Sequence, residues 1–507
     1  FRRISNPRLL RQQLLLATPN TSAARCLAAA ASLPVLLPAY KIAALEGAPH
    51  ASQRGPFIDH SALAKARRPA PSPSTPGKRL LRRFLDAMRV LSRAVKILAY
   101  LSPLPALTIA SYAIPNKAVD DAAWAYATEA MQRLGPCFVK LAQWAATRRD
   151  LFPSSFCDRL SKLHASAKKH SWTHTERLLR QSFGDEYSSS LRIDSDTPVI
   201  GSGCVAQVYL ATVSDGSQVA VKVIHPHVKA QIASDLRLLR FATSALDKIP
   251  LLHMEWFALP EAVEEFAVIM EEQLDMRKEA ANLDKFGRQY KQYSSSVDFP
   301  KPFHHLTTEN VLTETFEQGD PISEYFSSSA EKKRILAKPL ITTFLRMVFT
   351  NNFIHCDLHP GNILVTKDHK LVFLDAGITN TLSDNDQTNL RDLFKAVVLN
   401  QGYEAGKMIV DRAKRQSCSD PEGFAIKIGQ IVSEFHEQRS VGLTLGAVKI
   451  GNLMSRVLEL CRSHKVLLEP AMANVVLSTI VLEGVGRTLD PDMNLFAAAM
   501  PFLLGTS

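Results

Sequence analysis

Residues 355–377 read HCDLHPGNILVTKDHKLVFLDAG, and this stretch decides the fold. His355, Asp357 and Asn362 stand at the spacing H-x-D-x-x-x-x-N, and an apolar run, Ile363-Leu364-Val365, follows at once. Asp368-His369-Lys370 makes a tight turn, after which Leu371–Leu374 leads into Asp375-Ala376-Gly377. The order loop, strand, turn, strand, D-x-G brings Asn362 and Asp375 to neighbouring ends of one hairpin. There an amide and a carboxylate chelate one or two Mg²⁺ ions bridging the phosphates of a nucleotide, ATP or ADP. Asp357 then faces the acceptor group as general base or orienting residue. Asp, Asn and Gly are common in ordinary turns, but two spacings around one hairpin exceed what turn composition supplies.

Working outward, the first spacing is that of a kinase catalytic loop, and its companions lie upstream. Gly201-Ser202-Gly203-Cys204-Val205-Ala206-Gln207 precedes Val219-Ala220-Val221-Lys222, an alternating strand entered by a turn at Asp215-Gly216. Backbone N–H groups along Gly201, Gly203, Val205, Ala206 and Gln207 approach phosphates, and Lys222 neutralises them. Such a lysine needs a carboxylate. Glu279 is the candidate, with Asp275 four residues earlier and so on one helix face. A conventional protein kinase continues from its D-F-G into a long segment closing at A-P-E. Here DAGITNTLSDNDQTNLRDLFKAV passes within about ten residues into a helical pattern and no A-P-E follows. A small-molecule acceptor, or ATP hydrolysis coupled to something else, suits that better than a peptide.

The chain has 507 residues, 46% apolar and 21% charged, enough for one large domain or two ordinary ones with extensions. Its net charge of +11 is unevenly placed. Residues 1–96 carry 17 Lys and Arg against three acids, a net of +14, which leaves the remaining 411 residues near −3. The globular part has no general attraction for a polyanion, so nucleic acid is excluded as a partner. Seven scattered cysteines without a C-x-x-C pair suit a reducing compartment.

The first residue is Phe, so the true start is expected to lie upstream. Residues 1–64 are expected to be a mitochondrial targeting or disordered segment: 1–45 hold six basic residues and no acid before Glu46. A Pro/Ser-rich linker is expected over 65–79. Residues 80–117 contain a basic amphipathic pattern and then the uncharged run 97–116, about the length a bilayer span needs. A single-pass span, an interfacial helix and a buried hairpin all remain open, with Pro103, Pro105 and Pro115 counting against the span. Helical patterns over 118–196 form an extension. Strands over 197–224, helices near 228–247 and 260–285, and short strands near 310–316 make a small lobe spanning 197–318. A helix at 331–350, the loop and hairpin, and further helices make a large lobe over 319–507. The fold class is α+β, a protein-kinase-like two-lobed fold with an N-terminal helical extension.

From about Trp124 to Pro501 the chain resembles the UbiB family of atypical kinases, also called aarF-domain or ADCK proteins, and its mitochondrial branch in particular. The likeness rests on H-x-D-x-H-P-G-N at His355–Asn362, D-x-G at Asp375–Gly377, and E-A-x-N at Glu279–Asn282. It rests also on K-x-x-Q at Lys140–Gln143 and on LEGVGRTLDPD near the C-terminus. The resemblance implies nucleotide binding and ATPase activity more readily than protein phosphorylation. It implies association with the mitochondrial inner membrane and with quinone-biosynthesis proteins, in support of coenzyme Q and lipid metabolism. It makes Lys140 and Gln143 pocket residues, Lys222 and Glu279 a pair, Asp357 catalytic, and Asn362 and Asp375 metal ligands. Three departures stand out. The family's K-x-G-Q has Ala142 in place of Gly, its E-x-D begins with Gln273, and its alanine-rich nucleotide loop carries Gly201 and Gly203. Three readings follow: an ATP-dependent enzyme acting on a small or lipid acceptor, a pseudokinase scaffold switched by nucleotide, and, last, a protein kinase.

Overall fold

The computed structural model describes residues 76–149, 151–161, 169–193, 199–247, 259–440, 450–492 and 495–504. The targeting segment expected over 1–64 and the linker up to residue 75 lie outside them. The chain divides into two compact units, one reaching to Ala130 and including Ala230–Val263, the other Met131–Lys229 with Glu264 onward. Residues 230–263, expected in the small lobe, thus group with the N-terminal helices.

In the first unit, α1 (Pro76–Leu101), α2 (Pro103–Ala113) and α3 (Lys117–Leu134) follow closely on one another. The last residues of the expected linker, 76–79, are therefore helical, with Pro76 in the first turn where its missing N–H costs nothing. Ser102 keeps right-handed helical angles (φ −59°, ψ −29°), and Pro103 opens α2. Pro103 and Pro105 fall in a first turn and leave the path nearly unbroken. Phe84–Ala113 is long and apolar enough to cross a bilayer, and almost none of it is buried. Phe84, Met88, Leu91 and Val95 recur at helical spacing and are 43–60% exposed. On another face, Arg93 forks onto the buried Asp235 of helix Val228–Asp247, Nε to Oδ1 at 2.5 Å and Nη2 to Oδ2 at 2.8 Å.

In the second unit the strands that build the two larger sheets and the loop between them begin with β1 (Leu191–Arg192), β2 (Val199–Ser202), β3 (Ala206–Val213), β4 (Gln218–Ile224), β5 (Val297–Asp298) and β6 (Val311–Thr315). They continue with β7 (Asp320–Pro321), β8 (Ile354–His355), β9 (Ile363–Val365), β10 (Leu371–Phe373) and β11 (Thr379–Asn380). An antiparallel sheet runs β1-β3-β4-β6, with β2 also on β3. A second runs β5-β10-β9-β7. The turn at Asp215-Gly216 forms as expected, Gly216 taking φ +87° and Ser217 N–H donating to Asp215 Oδ1.

Strand alternation aims the site. Val219, Val221 and Val223 of β4 join Tyr209, Ala211 and Val213 of β3 in a core covered by Leu179 of the helix Trp172–Phe183. The even positions of β4, including Lys222, therefore face the other side of the sheet. A second core of rings fixes the helix Met276–Tyr290 to the hairpin: Phe286 stacks on Phe299 at 4.8 Å and lies 4.6 Å from Phe353, and Phe299 stacks on Phe373 at 5.6 Å. Each such pair adds about 1 kcal/mol beyond its buried area.

The helix expected over 260–285 is two helices, Leu259–Glu272 and Met276–Tyr290. Asp275 is the N-cap of the second, its carboxylate accepting from Arg277 N–H at 3.1 Å and pairing with the Arg277 guanidinium. A short acidic side chain there satisfies orphan N–H groups, so Asp275 and Glu279 do not share one helix face.

Candidate functional site

Lys222 is the hub. Its ammonium lies 2.5 Å from Glu279 Oε1 and 3.2 Å from Glu314 Oε1. The second contact follows from register: Lys222 pairs with Leu312 across β4 and β6, so Glu314, two residues on, is the same-face diagonal neighbour. Sequence reading missed Glu314. A carboxylate inside Val-Leu-Thr-Glu-Thr, in a strand otherwise built to be buried, was the available signal.

The helix Met276–Tyr290 also reaches the D-x-G turn. Asn282, one turn after Glu279, donates from Nδ2 to Ala376 O at 2.9 Å. The motif E-A-x-N thereby clamps the lysine with one side chain and the turn with the other. Asp375 sits at φ +57°, a left-handed conformation Asp tolerates better than most residues. A Cβ on Gly377 would lie 3.1 Å from Asp375 Oδ1 and 3.9 Å from Glu279 Oε2, so both carboxylates border the same point.

Across from this cluster, the catalytic-type loop is held by its own histidines. His355 is buried; its Nε2 donates to Leu374 O at 3.0 Å and its Nδ1 accepts from Asp357 N–H at 3.3 Å. A carbonyl only accepts and an amide only donates, so the ring is the neutral Nε2–H tautomer. Burial lowers its pKa, in agreement. His359 Nδ1 accepts from Gly361 N–H at 3.1 Å and shapes the turn Pro360–Asn362. Asn362 Nδ2 donates to Asp357 O at 3.0 Å, leaving its Oδ1 as the atom for a cation. Lys140, from the helix Pro136–Thr147, brings its ammonium 3.6 Å from Asp357 Oδ2. Gln143 lies half-buried one turn further on, and Ala142, standing for the family's Gly, is buried.

Gly203 N–H donates to Ala206 O at 2.9 Å, so Gly201, Gly203 and Ala206 belong to a tight hairpin whose tip is Cys204-Val205. The tip residues are buried, and Cys204 is close enough to feel the charges of Lys140, Asp357 and Asp375. The Gln207 side chain does not join the site. Its amide is buried on the far side of β3, with Oε1 accepting from His170 N–H at 2.9 Å and Nε2 donating to Tyr209 OH at 2.6 Å.

Charge is unbalanced here. Burial works against the Lys222 ammonium, but Glu279, Glu314 and Asp375 outweigh it and hold its pKa above the usual value. Burial pushes Glu279 up to about 7 despite Lys222, with Asp375 and Glu314 adding to the rise, and burial raises Glu314 likewise. Burial opposes ionisation of Asp375 too, yet Lys222 and Lys140 hold it below the usual carboxylate range. Burial raises the thiol of Cys204 and takes that of Cys356 up to about 12, so neither is a thiolate. Glu314 Oε2 is buried without a partner. Three acids around one ammonium, one with an orphaned oxygen, form a donor set that welcomes a further cation. Among the described residues there is no group of three His, Cys, Asp or Glu side chains that would cage a metal. The set therefore suits Mg²⁺ held by one or two protein oxygens and completed by phosphates.

The profile of the ABC1 atypical kinase-like domain matches residues 162–409, and that of the UbiB helical domain matches 433–494. The probable serine/threonine-protein kinase abkC of Dictyostelium discoideum is 31% identical over 451 residues, 75% of this chain and 64% of its own. The mitochondrial ABC1 family protein YPL109C of Saccharomyces cerevisiae is 32% identical over 444 residues, 74% of this chain and 66% of that protein. The chain thus spans just under two thirds of these relatives' length. The probable protein kinase UbiB of Shewanella woodyi is 26% identical over 380 residues, 74% of this chain and 68% of its own. Rv3197 of Mycobacterium tuberculosis, solved with erythromycin, shares the fold with a TM-score of 0.50 at 16% identity, over 71% of this chain and 87% of that one.

Proposed function

This chain belongs to the ABC1/UbiB family of atypical kinases, and on that premise we propose that it binds ATP with Mg²⁺ and either hydrolyses it or transfers phosphate to a small-molecule or lipid acceptor. The observation that carries the reading is the cluster of Lys222, Glu279 and Glu314 beside Asp375. A lysine fixed by carboxylates is poised to hold phosphates, and Asn362 Oδ1 with Asp375 would hold the Mg²⁺. The metal supplies charge neutralisation on the transferring phosphoryl group. Asp357 orients or deprotonates the attacking group. The hairpin tip around Gly203 and Val205 covers the phosphates, and Gln143 borders the pocket beside Lys140.

Two features favour a small acceptor over a protein. The helix Asp384–Val398 begins shortly after Gly377, and β11 between them is tied to β8, so a peptide platform has no chain to form from. Lys140 also stands against the Asp357 carboxylate. The mitochondrial relatives, the presequence-like leader and the exposed apolar stretch Phe84–Ala113 support a mitochondrial membrane location. There the activity would serve quinone and lipid metabolism alongside quinone-biosynthesis proteins.

Thermal unfolding with Mg²⁺·ATP tests binding. Ligand at about 100 times its dissociation constant adds about 2.7 kcal/mol, and Lys222→Ala or Asp375→Asn should abolish the gain. ATP turnover on lipid vesicles tests catalysis: wild type no faster than Asp357→Asn would end the enzymatic reading. The Lys140–Asp357 ion pair favours a second reading, a nucleotide-switched scaffold whose base is sequestered. Rescue of a null cell by Asp357→Asn combined with Asp375→Ala would select it.

A further inference from the structure

Gln207 begins a polar chain that is buried at this end and reaches the hairpin tip through the half-buried His170 and His225. Each direction in it is forced by chemistry. Gly203 O is 2.9 Å from His225 Nε2 and only accepts, so that nitrogen carries the proton. In the neutral ring His225 Nδ1 is then an acceptor, and His170 Nδ1, 2.7 Å away, must donate to it. His170 Nε2 is left as an acceptor for the Thr175 hydroxyl at 2.8 Å. Thr175 Oγ1 accepts from Tyr209 OH at 2.7 Å, and Tyr209 accepts from Gln207 Nε2 at 2.6 Å. Gln207 Oε1 closes the ring on His170 N–H. Thr175, Tyr209 and Gln207 are buried, so water does not replace any of these three, whereas His170 and His225 are half-buried.

We propose that His225 is the positioning residue of the nucleotide-facing hairpin, and that the neutral His170–His225 pair holds it in the one tautomer that grips Gly203. The inference rests on the nucleotide reading of that hairpin. His225 grips the tip twice, since its backbone N–H also donates to Val205 O at 2.8 Å. A second proton on His225 puts its Nδ1–H against His170 Nδ1–H at the 2.7 Å contact, and one on His170 puts an Nε2–H where that nitrogen accepts the Thr175 hydroxyl; either breaks the order of donors and acceptors. The titratable neighbours all oppose that proton. His174 lies edge-on to His170 with ring centroids 4.9 Å apart, and Arg177 and His227 act on His174. Burial, then His225 and His174, take His170 down to about 4, and burial lowers His225.

The test is Mg²⁺·ATP affinity of the full chain, by calorimetry, for wild type, His225→Leu, His225→Gln and Lys222→Ala. Gln carries a donor where His carries Nε2 and does not titrate. At pH 7.5 His225→Leu should bind about tenfold more weakly, the usual cost of one hydrogen bond in an ordered loop, and His225→Gln within about threefold. As pH falls from 7.5 through 5 toward 4, wild type should lose affinity relative to His225→Gln, the nucleotide's own titration cancelling in the ratio. Equal affinity of wild type and His225→Leu, or superimposable pH profiles of wild type and His225→Gln, overturns the inference. Where His225→Leu does not fold, the second comparison decides alone. Failure of wild type itself to bind, or unchanged binding by Lys222→Ala, instead overturns the nucleotide reading.

Discussion

Replacing Lys222 by Met removes the ammonium shared by Glu279 and Glu314 and leaves a nearly isosteric chain. Both carboxylates and the lysine are almost fully buried, so solvent screening gives little relief. Removing one partner of a buried ion pair costs about 3–5 kcal/mol. At about 3 °C per kcal/mol for a unit of this size, the melting temperature should fall by about 10 °C at pH 8. The deficit depends on pH with a definite sign. Without the ammonium, the acids have folded pKa values further above the 4.5 from which Glu279 already departs, so the folded state binds more protons than the unfolded chain in that window. Stability contributed this way is present at low pH and lost as pH rises through the folded values. The gap between wild type and Lys222→Met should therefore shrink by about half at pH 6, one pKa unit being worth about 1.4 kcal/mol. Adding Glu314→Gln to Lys222→Met should recover about 1–2 kcal/mol by removing one uncompensated charge. Thermal melts of the three proteins at both pH values measure all of this. A gap that is the same at pH 8 and pH 6, or a double variant less stable than Lys222→Met, would show that the acids do not share the one ammonium.

Gly377→Ala should lower ATP turnover at least tenfold with a stability change within about 1 kcal/mol, because the new methyl presses on the Asp375 carboxylate and not on the core; unchanged turnover would contradict it. Gly406→Ala should cost about 2 kcal/mol, since its Cβ would lie 2.6 Å from Ala425 Cα, whereas Gly429→Ala meets only ordinary contacts and should stabilise its helix by about 0.5–1 kcal/mol. Urea midpoints compare the two. The imidazoles of His355 and His170 should stay neutral below the ordinary value of 6.5 in a histidine-selective NMR titration. Their stabilising contribution is complete above 6.5 and is lost as pH falls toward their folded values; ordinary titration of both rings would refute the burial argument.

Local spacing carried the chemistry of this chain. H-x-D-x-x-x-x-N, the hairpin and D-x-G are contiguous, and the short connections leave Asn362 and Asp375 little choice but to meet. The strand holding Lys222 was legible for the same reason, since alternation sets which side chains share a face. Three things lay beyond the sequence because each depends on which distant elements pack together. Glu314 became the second partner of Lys222 through the register of β4 on β6. Asp275 left the site because the helix expected over 260–285 breaks after Glu272, turning Asp275 into the cap of the next one. Gln207 turned to His170 because β3 presents alternate side chains to opposite faces, and only the folded sheet decides which face is the pocket. A sequence fixes which groups can be charged, donate or turn; which of them meet, and at what protonation, is set by long-range packing and the burial it imposes.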